Sequence, residues 1–300
     1  MSSSVCDNAH RASARANLIG SLWMVVAMAG FAVEDSLLKV ASAQLPVSQV
    51  LVLFGCLGMA LFVAFATVQG DKLFVPETRV RSMQIRMGFE IFGRLFFVLA
   101  IALAPLSAAT VILQATPLVV VAGAALVFGE KVGILRIFAI VIGFIGVLIV
   151  LQPGAESFTW SAILAVLGML GFAGRDLASR AAPKTLSTAV LGVYGYLALL
   201  FAGGLYALWE TPQFVVPSLE TMLALILASL VGAFSYVSLM NAMRTGEVSA
   251  VAPFRYSRLL FGIGLGVFWF GEAFTQPMFL GSGLIVCAGM FLLWSGRRAR

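Results

Sequence analysis

The sequence has almost none of the residues from which enzymes build metal sites and catalytic dyads. His10 is the only histidine among 300 residues, and it precedes the first apolar run. This excludes a His-based metal site, catalytic triad or proton relay within the apolar segments. The three cysteines, Cys6, Cys56 and Cys287, are scattered and odd in number, so they predict neither a disulfide framework nor metal ligation. We expect no metal, no cofactor and no enzymatic activity.

Charge is also scarce, because only 11% of the residues are charged whereas 61% are hydrophobic. Apolar runs of about 20 residues follow one another, and as helices they would each span a hydrocarbon core of about 30 Å. Pro or Gly marks most of the breaks between them. We therefore predict an all-α integral membrane protein with ten helices at residues 16–38, 46–69, 84–103, 105–127, 133–151, 160–182, 186–208, 219–242, 247–270 and 277–295.

Short motifs of the first half return in the second half at a nearly constant spacing. Two motifs return 142 residues later, Ser107-Ala108 as Ser249-Ala250 and Phe128-Gly129-Glu130 as Phe270-Gly271-Glu272. A third returns 141 residues later, Gly30-Phe31-Ala32 with Asp35 and Lys39 as Gly171-Phe172-Ala173 with Asp176 and Arg180. The pattern predicts an N-terminal tail at 1–15 and five-helix repeats at 16–151 and 160–295. Because five is odd, the second repeat must enter the membrane from the opposite face, which favours transport by alternating access.

The distribution of basic residues predicts the orientation. With the N-terminus inside, the external ends hold only Lys39, whereas the cytoplasmic pieces hold fourteen of the nineteen basic residues: Arg11, Arg15, Lys72, Arg79, Arg81, Arg86, Lys131, Arg136, Arg180, Lys184, Arg244, Arg297, Arg298 and Arg300. Cytoplasmic loops carry such an excess of basic residues. We therefore expect a protein of a bacterial-type inner membrane with both termini in the cytoplasm. The net charge of +6 then needs no nucleic-acid partner.

Eight charged residues are assigned to the interior of the membrane, four acidic and four basic: Glu34, Asp35, Glu90, Arg94, Arg175, Asp176, Arg255 and Arg258. Intramembrane charges are costly unless they are paired or hydrated, which makes them candidates for function. Glu90 and Arg94 are four residues apart and can form an ion pair within one helix. Arg94 lies about 15 Å into its helix, and Arg255 and Arg258 lie at a similar depth. Glu34, Asp35, Arg175 and Asp176 lie nearer helix ends, where a gating or coupling role is expected.

The repeat supplies polar partners at comparable depth, because the spacing of 142 maps Arg94 onto Tyr236 and Gln114 onto Tyr256. Arginine binds carboxylates through two parallel hydrogen bonds, and aromatic rings supply contact area. Such a cavity suits a ligand with a carboxylate and an apolar or aromatic body, as in an amino acid. The predicted substrate-binding residues are Arg94, Arg255, Arg258, Tyr236, Tyr256, Gln114 and Glu90.

Two halves of five helices, with Ser-Ala near the start of each fourth helix and Gly-Glu at its end, resemble the drug/metabolite transporter superfamily, EamA type. The resemblance implies passive or ion-coupled transport through an α-helical basket with a central cavity. That superfamily includes aromatic amino acid exporters that also expel methyl viologen, and it makes export of aromatic or other neutral amino acids the first hypothesis. Uptake or exchange of S-adenosylmethionine or riboflavin, and multidrug efflux, remain alternatives. The alternative of a different class is an intramembrane enzyme, which the absence of histidine from the helices and the isolated cysteines disfavour.

The Gly-Glu element has a structural interpretation as well. Gly129 and Gly271 can end a helix in the left-handed conformation, and the glutamate that follows would lie near the N-terminus of the next helix. A nucleotide-binding loop of the G-x-x-x-x-G-K-[ST] type does not occur in the sequence, so no ATPase subunit is implied. The expected partners are the lipid bilayer and a small-molecule substrate, and monomer and homodimer both remain open.

Overall fold

The computed structural model describes residues 2–129, 133–152, 160–180, 185–211, 213–245 and 247–298. Over these residues the secondary structure is helical, with two short 3₁₀ helices at Pro76–Arg79 and Ala252–Tyr256 and no strand. The α-helices are α1 Ser2–Ser42, α2 Val47–Gln69, α3 Arg81–Leu103, α4 Leu106–Leu113, α5 Thr116–Phe128, α6 Ile134–Leu151, α7 Ser161–Arg180, α8 Thr188–Glu210, α9 Leu219–Thr245, α10 Val248–Val251, α11 Ser257–Phe268 and α12 Gln276–Arg298. The prediction of an all-helical fold is confirmed.

The described helices include eight segments that are long and apolar enough to cross a bilayer: Arg15–Ser42, Val47–Gln69, Leu106–Phe128, Ile134–Leu151, Ser161–Ser179, Thr188–Glu210, Leu219–Thr245 and Gln276–Trp294. Helix α3 has the necessary length but carries four charged residues, Arg81, Arg86, Glu90 and Arg94. The remaining predicted segment, residues 247–270, is divided among α10, a 3₁₀ helix and α11.

The fourth and ninth predicted segments are interrupted, which corrects the expectation of continuous helices at 105–127 and 247–270. The fourth divides into α4 and α5 at Gln114-Ala115, just before Pro117. The ninth is interrupted between α10 and α11 by the 3₁₀ helix Ala252–Tyr256, which has Pro253 near its start. Proline has no backbone N–H to donate and its ring displaces the preceding turn, so each break occurs where the α-helical ladder cannot continue unchanged.

Helix pairing follows a two-fold pattern between the halves. Helix α1 (the first segment) packs along α9 (the eighth), and α7 (the sixth segment) packs along α3 (the third). The second pair is the repeat copy of the first. The second and seventh segments (α2 and α8), the fifth and tenth (α6 and α12), and the fourth and ninth (α4 and α11) pair with their own counterparts. A pseudo-two-fold axis in the membrane plane produces this pattern between inverted repeats.

The two equivalent crossings use the same small-residue contact. A Cβ added to Gly30 would clash with Ser235 Oγ on α9, and one added to Gly171 would clash with the Cα of Gly93 on α3. Gly30 and Gly171 are copies of one another in the sequence repeat. Small residues allow membrane helices to approach closely, so the repeated glycine permits both interfaces.

Gly129 and Gly271 both adopt the left-handed conformation, with φ of 65° and 64°. The predicted role of these glycines as helix ends is confirmed for α5, where Gly129 is the C-cap, and Gly271 follows the end of α11. Glu130 lies outside the described residues. Glu272 contacts a helix N-terminus, but this helix is α4 of the other half and not the next helix, α12.

Candidate functional site

A chain of five charged side chains crosses the middle of the bundle from α1 through α3 to α7. Arg94 Nη1 lies 3.6 Å from Glu34 Oε1, and Arg94 Nε donates to Glu90 Oε1 at 3.2 Å. The other oxygen of Glu90 lies 3.4 Å from Arg175 Nη1, and Arg175 Nη2 donates to Asp176 Oδ1 at 2.8 Å. The ion pair expected between Glu90 and Arg94 is therefore present, and it belongs to a larger network.

A second ion pair begins at the next residue of α1. Asp35 Oδ2 accepts a hydrogen bond from Arg258 Nη2 of α11 at 2.5 Å. The Arg258 guanidinium lies 5.3 Å from the Phe31 ring centroid and 5.7 Å from that of Phe97. These distances permit cation–π attraction. Adjacent acidic residues of α1 thus each contact an arginine from a different helix, one in each half of the protein.

Burial makes these pairs energetically demanding. Glu34, Asp35 and Glu90 are each at most 3% exposed. Removing one partner from a buried ion pair leaves an uncompensated charge, which typically costs about 3–5 kcal/mol. The two groups of ion pairs thus couple the positions of α1, α3, α7 and α11. Moving any one of these helices away would separate at least one charge from its partner.

Three aromatic residues around these charges were not predicted from the sequence. The Phe172 ring lies 4.9 Å from the Arg175 guanidinium and 5.7 Å from that of Arg94. Phe172 is the repeat copy of Phe31, which contacts Arg258 in the same manner. The available signal in the sequence is the repeated Gly-Phe-Ala element, which by itself indicates only duplication. Phe97 offered no comparable signal.

Tyr196 of α8 is a further residue that sequence reasoning missed. Its ring lies against Gly58 of α2, and its hydroxyl would lie 2.9 Å from a Cβ added to Gly232 on α9. One carboxylate oxygen of Glu34 approaches the same glycine. The repeat spacing of 142 relates Tyr196 to Phe54, and the two rings meet edge to face at 5.3 Å. Contact between repeat-related residues indicates that they lie near the pseudo-two-fold axis.

The predicted substrate residues are only partly brought together. Arg94, Arg258 and Glu90 belong to the two ion-pair groups, and Tyr236 lies close enough to Glu90 and Arg175 to interact electrostatically. Arg255 lies in the 3₁₀ helix, and among the described residues no carboxylate lies within ion-pair distance of its side chain. Arg94 and Arg258 contact neighbouring acids of α1 in two separate ion pairs, and Arg255 has no contact with either pair among the described residues.

Gln114 and Tyr256 have structural contacts away from the ion pairs. The amide of Gln114 donates to the backbone carbonyl of Arg255 at 3.0 Å, which links the breaks in the fourth and ninth segments. The hydroxyl of Tyr256 packs against Gly289 of α12, where an added Cβ would clash with it. Tyr256 thus occupies a space that the missing side chain of Gly289 creates. The four residues expected to have a gating or coupling role, Glu34, Asp35, Arg175 and Asp176, all take part in the ion pairs, and that role stays a prediction.

A second polar cluster lies at one end of the bundle, which we call the Lys39 end. Glu272 accepts hydrogen bonds from the backbone N–H of Leu106 at 2.6 Å and of Ser107 at 2.9 Å, and from the Ser107 hydroxyl at 2.6 Å. A carboxylate at a helix N-terminus satisfies free N–H groups and interacts favourably with the helix dipole. The residue that caps α4 therefore comes from the other repeat.

Lys39 joins the same cluster from the last turn of α1. Its Nζ lies 3.9 Å from Glu272 Oε1 and donates to the carbonyls of Ile101 at 2.9 Å and Ala104 at 2.6 Å. We call the contacts of Lys39, Glu272 and Ser107 the Lys39–Glu272 seal. All three residues belong to the motifs that the sequence repeats, as Arg180, Glu130 and Ser249.

Direct packing of α4 against α11 lies beneath the seal. A Cβ added to Gly266 would lie 3.1 Å from Ser107 Cβ, and one added to Gly262 would lie 2.5 Å from Thr110 Cγ2. Ser107 and Thr110 are each 1% exposed. The fourth and ninth segments are therefore in close contact in the half of the bundle nearest Lys39.

Comparison with known proteins identifies the family. The model of the EamA-like transporter family matches residues 18–152 and again residues 159–294. The chain belongs to this family. The predicted resemblance is confirmed, together with the fold class of ten membrane segments in two inverted five-helix repeats.

Similar curated proteins transport chemically different molecules. The chain is 26% identical to a riboflavin transporter of Rhizobium johnstonii, over 92% of this chain and 91% of that protein. It is 24% identical to an S-adenosylmethionine uptake transporter of Rickettsia prowazekii (94% and 95% covered) and 27% identical to a pseudopaline exporter of Pseudomonas aeruginosa (90% and 94%). All three are named transporters, in agreement with a non-enzymatic function. They include both uptake and export, so family membership shows a membrane transporter of small molecules and leaves amino-acid export undecided.

One solved crystal structure aligns with a TM-score of 0.62 at 20% identity, covering 96% of this chain and 99% of the other. At this identity the likeness concerns the fold alone.

Proposed function

We propose that the chain is a secondary transporter of the bacterial inner membrane for zwitterionic, amino-acid-like metabolites with an aromatic or heteroaromatic body. The observation that carries the proposal is the pair of buried neighbouring acids on α1, Glu34 and Asp35, each in contact with a partly buried arginine from a different helix. A ligand with a carboxylate and an ammonium group can replace both members of such an ion pair without leaving a buried charge alone.

The chemistry of the central groups supports this choice. Arg94 and Arg258 offer planar guanidinium groups for a carboxylate, and Glu34 and Asp35 offer acceptors for an ammonium group. Phe31, Phe97 and Phe172, which already lie against the guanidinium groups, supply apolar area for the body of the ligand. Aromatic and other neutral amino acids satisfy these requirements, and we retain their export as the first hypothesis.

The orientation and the moving halves complete the proposal. By the excess of basic residues elsewhere, the Lys39 end faces the exterior and both termini lie in the cytoplasm. Residues 16–151 and 160–295 rock against each other about the central charges. The Lys39–Glu272 seal and the α4–α11 contact belong to the state that is closed to the exterior.

The similar proteins favour one alternative cargo. S-adenosylmethionine carries an amino-acid carboxylate and ammonium group on a heteroaromatic body, so the same ion pairs suit it, and one relative is named for its uptake. Riboflavin, named for another relative, has neither a carboxylate nor an ammonium group and offers nothing to exchange with the ion pairs.

Flux measurements in proteoliposomes test the proposal. We expect uptake of L-phenylalanine or S-adenosylmethionine to exceed that of riboflavin and methyl viologen. Arg94→Lys or Arg258→Lys should reduce the preference for phenylalanine over its carboxyl-amide by about tenfold, because lysine keeps the charge but loses the planar pair of donors. Arg255→Lys is the matched control, since its side chain contacts no described carboxylate. An unchanged preference in both variants would mean that the carboxylate is bound elsewhere.

A further inference from the structure

Glu34 occupies a position at which the two-fold symmetry of the repeats is broken. The spacing of 141 maps Glu34 onto Arg175, and the spacing of 142 maps Glu90 onto Gly232. In one half, Arg175 Nη1 lies 3.4 Å from Glu90 Oε2. In the other half, Glu34 Oε2 faces Gly232, where even an added Cβ would lie only 2.7 Å from that oxygen. Glu34 therefore lacks the charged partner that its copy has.

The groups that face Glu34 provide little compensation for its charge. Its ion-pair partner is Arg94, whose Nη1 lies 3.6 Å away, beyond good hydrogen-bond distance. Arg94 is nearer to Glu90, at 3.2 Å. The charged and titratable groups around Glu34 are Asp35 on its own helix, Arg94 on α3, Tyr196 on α8 and Arg258 on α11.

A charge count over these contacts leaves one negative charge in excess. The connected chain contains three carboxylates, on Glu34, Glu90 and Asp176, but only two guanidinium groups, on Arg94 and Arg175. The separate Asp35–Arg258 pair is neutral and supplies no spare positive charge. Glu90 and Asp176 each hold an arginine at hydrogen-bond distance, so the excess lies on Glu34. A buried, poorly paired carboxylate within a membrane requires a compensating cation.

We propose that Glu34 is the cation site of this transporter, where one positive charge binds and is released during each cycle. That charge is either the ammonium group of the cargo or a coupling proton. Gly232 has no side chain that could compensate the charge of Glu34, so the positive charge has to come from the cargo or from a proton. The cargo form rests on the proposed transport of zwitterions, whereas the proton form does not.

The charge excess is tested without any cargo. Glu34→Gln removes the surplus charge and leaves Arg94 paired with Glu90, so the purified protein in detergent at pH 8 should melt at or above the wild-type temperature. Glu90→Gln is the matched comparison: Glu90 contacts both Arg94 and Arg175, so this variant should melt well below wild type. If Glu34→Gln is destabilised as strongly as Glu90→Gln, Glu34 is a structural member of the network and the proposal is wrong.

Transport separates the two sources of charge. With a pH-sensitive dye in proteoliposomes, a coupling proton appears as proton movement on addition of L-phenylalanine or S-adenosylmethionine, and Glu34→Gln should lower this movement at least about tenfold. If the dye shows no proton movement, the positive charge is the ammonium group of the cargo. Wild type should then prefer phenylalanine to 3-phenylpropanoate, which lacks the ammonium group, and Glu34→Gln should lose that preference.

Unchanged proton coupling and unchanged ammonium preference in Glu34→Gln would overturn the proposal. A wild-type protein that transports neither probe contradicts the proposed function instead, and the melting comparison still decides whether Glu34 carries the excess charge.

Discussion

The Lys39–Glu272 seal should control access to the bundle from the Lys39 end, and Glu272→Gln is the perturbation that tests it. Glutamine keeps the size of the side chain but loses the charge and one of the two acceptor oxygens. In the structure those oxygens receive three hydrogen bonds from Leu106 and Ser107, and Lys39 lies 3.9 Å away. The variant must therefore leave at least one donor at the α4 N-terminus without a partner, and it removes the attraction for Lys39.

The size of the effect follows from these contacts. A hydrogen bond to a charged group contributes about 1.5–3 kcal/mol, so losing one of the three, with the charge, should destabilise the sealed state by about 2 kcal/mol. The cap joins the two repeats, so the open state does not share this loss. Since about 1.4 kcal/mol corresponds to a tenfold change, the population open at the Lys39 end should rise about 25-fold.

The assay uses a cysteine at Thr110, which lies beneath the seal against Gly262. In a background without Cys6, Cys56 and Cys287, a membrane-impermeant thiol reagent applied outside should label Thr110→Cys about 25-fold faster when Glu272→Gln is present, because labelling requires the open state.

Glu210→Gln is the matched control for this experiment. Glu210 caps α2 by accepting from the N–H groups of Val47 at 3.2 Å and Ser48 at 3.0 Å, and it has no described hydrogen bond to α4 or α11. Its replacement should leave labelling at Thr110→Cys unchanged. Equal labelling in wild type and Glu272→Gln, or an equal increase in both variants, would refute the seal as a gate.

Two further predictions concern the ion pairs and the orientation. Glu90→Gln and Arg94→Gln should each destabilise the protein by about 3–5 kcal/mol, and the double variant should cost less than the sum, measured as a double-mutant cycle of unfolding; additive effects would exclude coupling between the two side chains. With cysteines at Ser2, Gln213 and Arg300, only Gln213→Cys should react with an impermeant reagent from outside, and labelling of either terminal position from that side would overturn the orientation.

The class of protein and much of its organisation could be predicted from the sequence. Segment lengths follow from the thickness of the bilayer, and the duplicated motifs are visible without any knowledge of contacts. An odd number of segments in each repeat then requires inversion. The same reasoning located the charged residues, because a charge within an apolar run is a local property of the chain. It also anticipated the ion pair of Glu90 and Arg94, whose spacing alone places them on one face of a helix.

The partners of those charges were decided only by tertiary structure. Which helix faces Glu34 or Asp35 depends on how α1 is rotated and which helices pack against it, and neither is a local property. Arg255 and Arg258 are the same type of residue and are predicted at similar depth. The 3₁₀ helix at Ala252–Tyr256 nevertheless leaves only Arg258 in contact with Asp35. Glu272 caps α4 and not α12 because the inversion of the repeats brings the end of the ninth segment next to the start of the fourth. The length of an apolar run specifies that a segment crosses the membrane, whereas contacts between distant residues specify where its charges are neutralised.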